Sequence, residues 1–217
     1  SILDEGSTYQ LEEKYYIHLI RVMRLNIGSE IALFNPNSGE WKAVIKKINK
    51  QNIIAEVSEK ISSSFVEPNI SLLFSPIKNL NSEAIIRQST ELGVRNIYPT
   101  FFQRTVIKKI NLKKFTSYSI GAAQQCGRMS IPTIDDYQKL IHRVDLLSNC
   151  HVLMFDENLH GETIQKVNSS TLDNKTEIIV IIGPEGGFEE QERQIIIKNS
   201  KTFQNITLGP RILKADT

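Results

Sequence analysis

Little in this sequence is extreme, and what it lacks narrows the field first. It has two cysteines in 217 residues, Cys126 and Cys150. Two are too few for a disulfide framework, so reduced thiols in a cytoplasmic protein are expected. His18, His142, His151 and His160 form no ligand pattern with them, and no metal is expected. The longest apolar run is the five-residue "IIVII", Ile178 to Ile182, whereas a membrane helix needs about 20 such residues. No stretch has the pattern of a secretory leader, and no membrane association is expected.

Acid is missing from one long segment. From Leu92 to Ile134 there is no Asp or Glu, while Arg95, Arg104, Lys108, Lys109, Lys113, Lys114 and Arg128 contribute +7 to a net charge of only +2. A basic block in a balanced chain is the electrostatic footprint of a phosphate-backbone binder, and equally of a solvated lysine-rich helix face. With 40% hydrophobic and 23% charged residues the rest reads as an ordinary soluble protein, long enough for one large domain or two small ones.

The pattern changes near "SSSFVEPN", residues 62 to 69. Residues 1 to 67 read as a small β module. "SEIALF", "EWKAVIKKI" and "NIIAEVSEKI" are β-branched runs separated by "NPNSG" and "NKQ" turns. "LEEKYYIHLIRVMRL" before them has helical periodicity, ended by Ile27-Gly28. From residue 70 to 217 strands and helices alternate. "ISLLFSPI", "NIYPTFF", "HVLMFDE", "EIIVIIG" and "FQNITLG" are strands. "NSEAIIRQSTEL", capped by Asn81 or Ser82 and stopped by Gly93, a stretch from Leu112 to Cys126, "DDYQKLIHRVDLL" and "FEEQERQIIIKNS" are helices. Such alternation predicts an α/β domain with a mostly parallel sheet covered on both faces.

The turn "GPEGG", Gly183 to Gly187, sits between a strand and a helix and invites a phosphate-loop reading. A P-loop requires Lys and Ser or Thr after its last glycine, but Phe188, Glu189 and Glu190 follow. The glycine spacing also fails the dinucleotide fingerprint, and Glu185 would repel a phosphate. What remains is a backbone-lined pocket for a neutral or cationic ligand. "IIGP" recurs as "TLGP" at 207–210, so two Gly-Pro exits fall on one sheet edge, the carboxyl edge where open α/β sheets bind ligands. Two plain turns are the alternative.

Several motifs, taken in order, resemble the bacterial 16S ribosomal RNA (uracil-N3)-methyltransferase family of the SPOUT class. They are "HLIRVMRLNIGSEIALFNPNSGEWKAVI" (18–45), "TELGV" (90–94), "QR" (103–104), "QQCGRMSIP" (124–132), "IGPEGGF" (182–188) and "LGPRILKADT" (208–217). The resemblance implies an RNA-binding PUA-like β-barrel over 1–67. It implies a SPOUT α/β domain with a deep trefoil knot over 70–217, with a further helix beyond Thr217, working as a homodimer. The knot comes from the family alone, since chains are almost never knotted. The implied methyl donor is S-adenosylmethionine, held by Leu153 and Phe155 in one loop region that reaches Glu157. Ile182, Gly183, Pro184, Gly186 and Gly187 would hold it in the second, and Leu208, Gly209, Ile212 and Leu213 in the third.

The implied partner is 16S rRNA in an assembled small ribosomal subunit. Arg104 would stabilise negative charge on the uracil oxygens, and Glu185 would take the N3 proton or orient the donor; helix capping is the plainer role for Glu185. Arg21, Arg24, Lys108, Lys109, Arg128 and Arg211 are the implied RNA contacts. Glu91 is read as a structural ion pair, and Phe101, Phe102 and Tyr118 as core aromatics. The family has Lys at Gln88, Glu at Gln124, Arg at Lys214 and Glu at Asp216. The two glutamines leave open an RNA-binding assembly factor of the same fold without the chemistry. A nucleotide-dependent α/β enzyme is disfavoured by the missing phosphate motifs.

Overall fold

A computed structural model describes residues 2–63, 66–77, 80–156, 161–164, 167, 176–211 and 213–215. The chain divides into two compact units, Ser1–Val66 and Glu67–Thr217.

The first unit is a four-stranded antiparallel sheet. Its strands are β1 (Thr8–Leu11), β2 (Glu30–Asn35), β3 (Gly39–Ile48) and β4 (Ile53–Ser62), in the order β1-β4-β3-β2. Period-two alternation turns Ala43, Ala55 and Val57 inward, against Leu3, Ile31, Leu33 and Trp41. Lys42 meets Glu30 at 3.3 Å and Lys46 meets Glu56 at 3.4 Å in partly exposed pairs, each worth little. The ladder ends at β1 and β2, so among the described residues the expected PUA-like barrel takes the form of an open, half-barrel sheet. The helical run is shorter than its periodicity predicts: α1 spans Glu13–Tyr16 and passes into a π-helical segment, Ile17–Val22. It stops before Arg24, which has φ 56°, because Gly28 and Ser29 already belong to the β-ladder through bonds to Ile45.

The second unit is an α/β domain, as the alternation predicts. Its strands are β5 (Ile70–Phe74), β6 (Asn96–Phe101), β7 (Thr133–Ile134), β8 (Gln138–Lys139), β9 (His151–Phe155), β10 (Glu162–Thr163), β11 (Ile178–Ile182) and β12 (Thr202–Thr207). They lie in the order β10-β12-β9-β11-β5-β6-β7, with β8 on β6, and each pairing is parallel. The helices are α2 (Leu80–Glu91), α3 (Leu112–Cys126), α4 (Val144–Leu147) and α5 (Glu190–Asn199). Successive strand residues face opposite layers. Leu73, Val152, Met154, Ile179 and Ile181 pack with Leu147 and Ile196 of α4 and α5. Leu72, Phe74 and Ile97 pack with Ile85, Ile86 and Phe115 of α2 and α3.

Two helix expectations change. Ser82 lies inside α2, where its Oγ accepts from Ile77 N and donates to Ile77 O instead of capping. Gly93 does end α2, with Val94 N bonded to Ser89 O and Gly93 N to Thr90 O. "DDYQKLIHRVDLL" is not one helix. The backbone of Gln138–Lys139 is taken by β6, leaving only a 3-10 turn (Leu140–Arg143) and the single turn of α4. Buried Arg143 ties the segment down through Asp135 and the carbonyls of Asp136 and Pro99.

Candidate functional site at the carboxyl edge of the sheet

Parallel register places Ile182 beside both Phe74 and Phe155, so β5, β9 and β11 end together. From Ile182 the chain enters the glycine turn. A Cβ on Gly183 would lie 2.6 Å from two ring atoms of Phe188, an approach only glycine permits. The Phe188 ring cannot retreat, because it is buried edge-on against Phe102 with centroids 5.2 Å apart. Gly187 N donates to Pro184 O at 2.8 Å and closes the turn. Pro184 is buried, whereas Glu185 and Gly186 form an exposed tip.

Helix α5 then begins with a reciprocal cap. The Glu189 side chain accepts from the Glu192 backbone, and Glu192 Oε2 accepts from Glu189 N at 2.9 Å. Capping is therefore done by Glu189 and Glu192, and Glu185 is free of that duty. The charges at this helix start suit the macrodipole as the sequence indicates, but Glu192 has a second task. It is buried, and its Oε1 accepts from Gln103 N at 2.7 Å.

That bond is one of five that pin three consecutive residues after β6. Arg104 donates from Nε to Glu189 Oε1 and from Nη1 to Gly186 O, both at 2.7 Å. Thr105 Oγ1 meets Ser75 Oγ at 2.9 Å and accepts from Phe102 N at 2.9 Å. Ser75 N in turn donates to Ile182 O at 3.0 Å. The fold thus brings Arg104 against the glycine turn, joining two separately expected features.

The second Gly-Pro exit, after β12, is built differently. Thr207 Oγ1 accepts from Gly209 N at 3.2 Å, Gly209 has φ 112°, and Leu208, Gly209, Pro210, Arg211 and Leu213 are exposed. Ile212, Glu157 and Asp216 lie outside the described residues. Leu153 is buried in the middle of β9, and Phe155 ends that strand half-buried. Asp156, next along, is buried and paired with Arg193 Nε of α5 at 2.5 Å. Sequence reasoning missed this pair, although an acid directly after a strand end is a signal it could have used.

The basic block separates into two kinds. Arg95, Lys108, Lys109, Lys113 and Lys114 are exposed, and Lys108 Nζ lies over the Phe101 ring at 4.6 Å. Arg128 is buried. Its guanidinium donates to Thr90 O at 2.6 Å and Val94 O at 2.9 Å, and it pairs with Glu67 at 2.8 Å. It is a structural tie across the end of α2, which corrects its reading as a substrate contact. Glu91 is exposed and forms no ion pair among the described residues, also against expectation. Gln88 and Gln124 sit on exposed positions of α2 and α3. In the first unit, Arg21 and Arg24 are exposed. Among the described residues no group of His, Cys, Asp and Glu could hold a metal ion, and no helix is long and apolar enough to cross a membrane.

A parallel α/β sheet whose carboxyl edge carries a rigid, backbone-rich turn is a ligand-binding domain of the open α/β class. Comparison with known proteins narrows this. The chain belongs to the RNA methyltransferase family: residues 66–217 match its RNA methyltransferase domain and residues 16–58 its RNA methyltransferase PUA domain. It is 30% identical over its whole length to ribosomal RNA small subunit methyltransferase E of Rickettsia conorii, covering 88% of that protein. It is 31% identical to the protein of that name from Buchnera aphidicola, over 99% of this chain and 85% of the other. Two solved structures share the fold across 100% of this chain and 89% of theirs at 25% identity. One is a Legionella pneumophila methyltransferase with bound S-adenosylmethionine, with a TM-score of 0.86. The other is the Neisseria gonorrhoeae ribosomal RNA small subunit methyltransferase E, also with S-adenosylmethionine, with a TM-score of 0.85. The family resemblance read from the motifs therefore holds.

Proposed function

We propose that this chain transfers a methyl group from S-adenosylmethionine to N3 of one uridine in 16S rRNA, acting on the small ribosomal subunit. The observation that carries the reading is Arg104 pinned against the Gly183–Gly187 turn, a cationic group held beside a backbone-lined ligand wall.

The residues fit the donor. Gly183 and Gly186 present backbone without side chains; Glu189 is paired with Arg104, and Glu185, exposed at the tip, is the acid left to suit a cation. Ile182, Gly183, Pro184, Gly186 and Gly187 would hold it on one side, and Leu208, Gly209 and Leu213 on the other, with Phe155 at the strand end between; Ile212 is proposed from the family motif alone. When bound, S-adenosylmethionine supplies an electrophilic methyl group on a positively charged sulfur. The chain's own residues do the rest. Arg104 donates to a uracil carbonyl oxygen as N3 loses its proton and negative charge spreads over the ring. Glu185, exposed at the tip, accepts that proton or aligns the donor. The uridine must leave its RNA stack to reach this edge.

Lys108, Lys109, Lys113 and Lys114 face solvent near the Arg104 loop and serve as phosphate contacts. Arg21 and Arg24 serve likewise in the PUA-like unit, and Arg211 at the second exit. The trefoil knot, the homodimer and a cytoplasmic site of action belong to this reading too. Ala215, beyond β12, packs on the Leu72–Phe74–Ile86 cluster, which supports a chain end tucked back across the sheet.

The test is methyl transfer from labelled donor to unmodified small subunits, with the product nucleotide mapped by mass spectrometry. One N3-methyluridine in 16S rRNA is expected. No incorporation by the full-length protein would defeat the reading and leave an RNA-binding assembly factor.

A further inference from the structure

Resting on the reading above, we infer that Glu189 is a positioning residue for Arg104, which fixes the guanidinium before RNA arrives. The geometry is specific. Arg104 Nε is bound to Glu189 Oε1 and Nη1 to Gly186 O, both at 2.7 Å. These contacts hold two edges of a planar fork, so the nitrogen left over, Nη2, has a fixed direction. The Arg104 side chain is still 48% exposed, so that edge is reachable from solvent.

The neighbours make the placement rigid. The Gln103 backbone is held by Glu192 and the Thr105 side chain by Ser75, so both neighbours of Arg104 are fastened. A Cβ on Gly186 would lie 3.2 Å from Arg104 Cβ, so the arginine stem lies close against the turn. Glu189 also stands at the N-cap of α5, so its own position is set by the helix. A free arginine side chain samples many rotamers. Removing that freedom in advance is how a charge-stabilising donor becomes effective. Glu189 also sets a compromise: as an acid near an RNA site it opposes phosphate binding, while it aims the cation.

Opposite effects on two kinetic constants follow. In Glu189→Gln the amide oxygen still accepts from the Glu192 backbone, so the helix cap and melting temperature stay as in the parent. With labelled donor and unmodified small subunits, kcat falls by roughly tenfold, while KM for the subunit is unchanged or lower. Glu189→Gln added to Arg104→Ala lowers kcat no further, because the effect runs through the arginine. A kcat loss that persists in the Arg104→Ala background, or a Glu189→Gln enzyme as fast as the parent, overturns the inference. A second readout does not need turnover: nitrogen-15 NMR shows a slowly exchanging Arg104 Nε–H in the parent that Glu189→Gln abolishes. If the resonance survives that substitution, the inference fails even if methylation is found. If the parent does not methylate RNA while the resonance behaves as stated, the proposed function fails and the positioning contact stands.

Discussion

The two Gly-Pro exits look alike in sequence, "IIGP" and "TLGP", and both follow parallel strands of one sheet. In the fold they are opposites. Gly183 and Pro184 are buried, with Phe188 packed against the glycine, and Arg104, Glu189 and Glu192 fasten the rest of the turn. Gly209 and Pro210 are exposed, and a Cβ on Gly209 would meet nothing within 4 Å. Identical dipeptides thus serve as a fixed wall and an open one. Five positions on from the glycine stands the buried Phe188 at the first exit, packed against Gly183, and the exposed Lys214 at the second.

The contrast breaks most severely at Phe188. Phe188→Ala removes a fully enclosed ring and should cost about 3–5 kcal/mol in urea unfolding, leaving Gly183 without the ring that covers it. Glu192→Ala comes next. It leaves the Gln103 and Glu189 N–H groups without their acceptor, so about 2–3 kcal/mol should be lost in the same measurement. The glycines sharpen the comparison. Gly183→Ala should destabilise by about 1–3 kcal/mol through overpacking against Phe188. Gly209→Ala should cost about 1 kcal/mol, from backbone strain at φ 112° alone. A larger loss at Gly209 than at Gly183 would reverse the assignment of fixed and open.

The smallest stability effect is expected in the basic block. Lys113 and Lys114 occupy the first turn of α3, where the helix dipole disfavours cations. Replacing both by Gln should change stability little, because relief of about 0.3–1 kcal/mol at Lys113 at low salt is offset where Lys114 loses its contact with the Tyr118 ring, 5.5 Å away. The same change should weaken RNA binding and flatten its salt dependence by about one to two in log–log slope. Weaker folding with unchanged RNA affinity would remove these lysines from the interface.

Much of this was legible in the chain. β5, β6, β9, β11 and β12 announce themselves as short β-branched runs between turn residues, and α3 spans Leu112–Cys126 as expected. β1, "TYQL", escaped because its alternation runs for only four residues, too short to stand out. The segment 135–147 misled because its apolar spacing suits a helix, while the edge of β6 claims two of its residues. The glycine turn was visible, and so was its unsuitability for phosphate. The contact that gives it a chemical character was not. Arg104 and Glu189 are 85 residues apart, and no local pattern couples them. The charge count also could not separate Arg128, consumed by buried carbonyls, from the exposed lysines around it.

Backbone hydrogen exchange, resolved by residue and followed with and without S-adenosylmethionine, tests the central claim most directly. The amides of Gln103, Gly187 and Glu189 should be protected in the protein alone, each having a named acceptor. Those of Leu208 and Arg211 should exchange fast until the donor is added and slow by at least tenfold afterwards, as expected for ligand-linked protection. Equal exchange at the two exits in the free protein, or a donor that protects neither, would contradict the account.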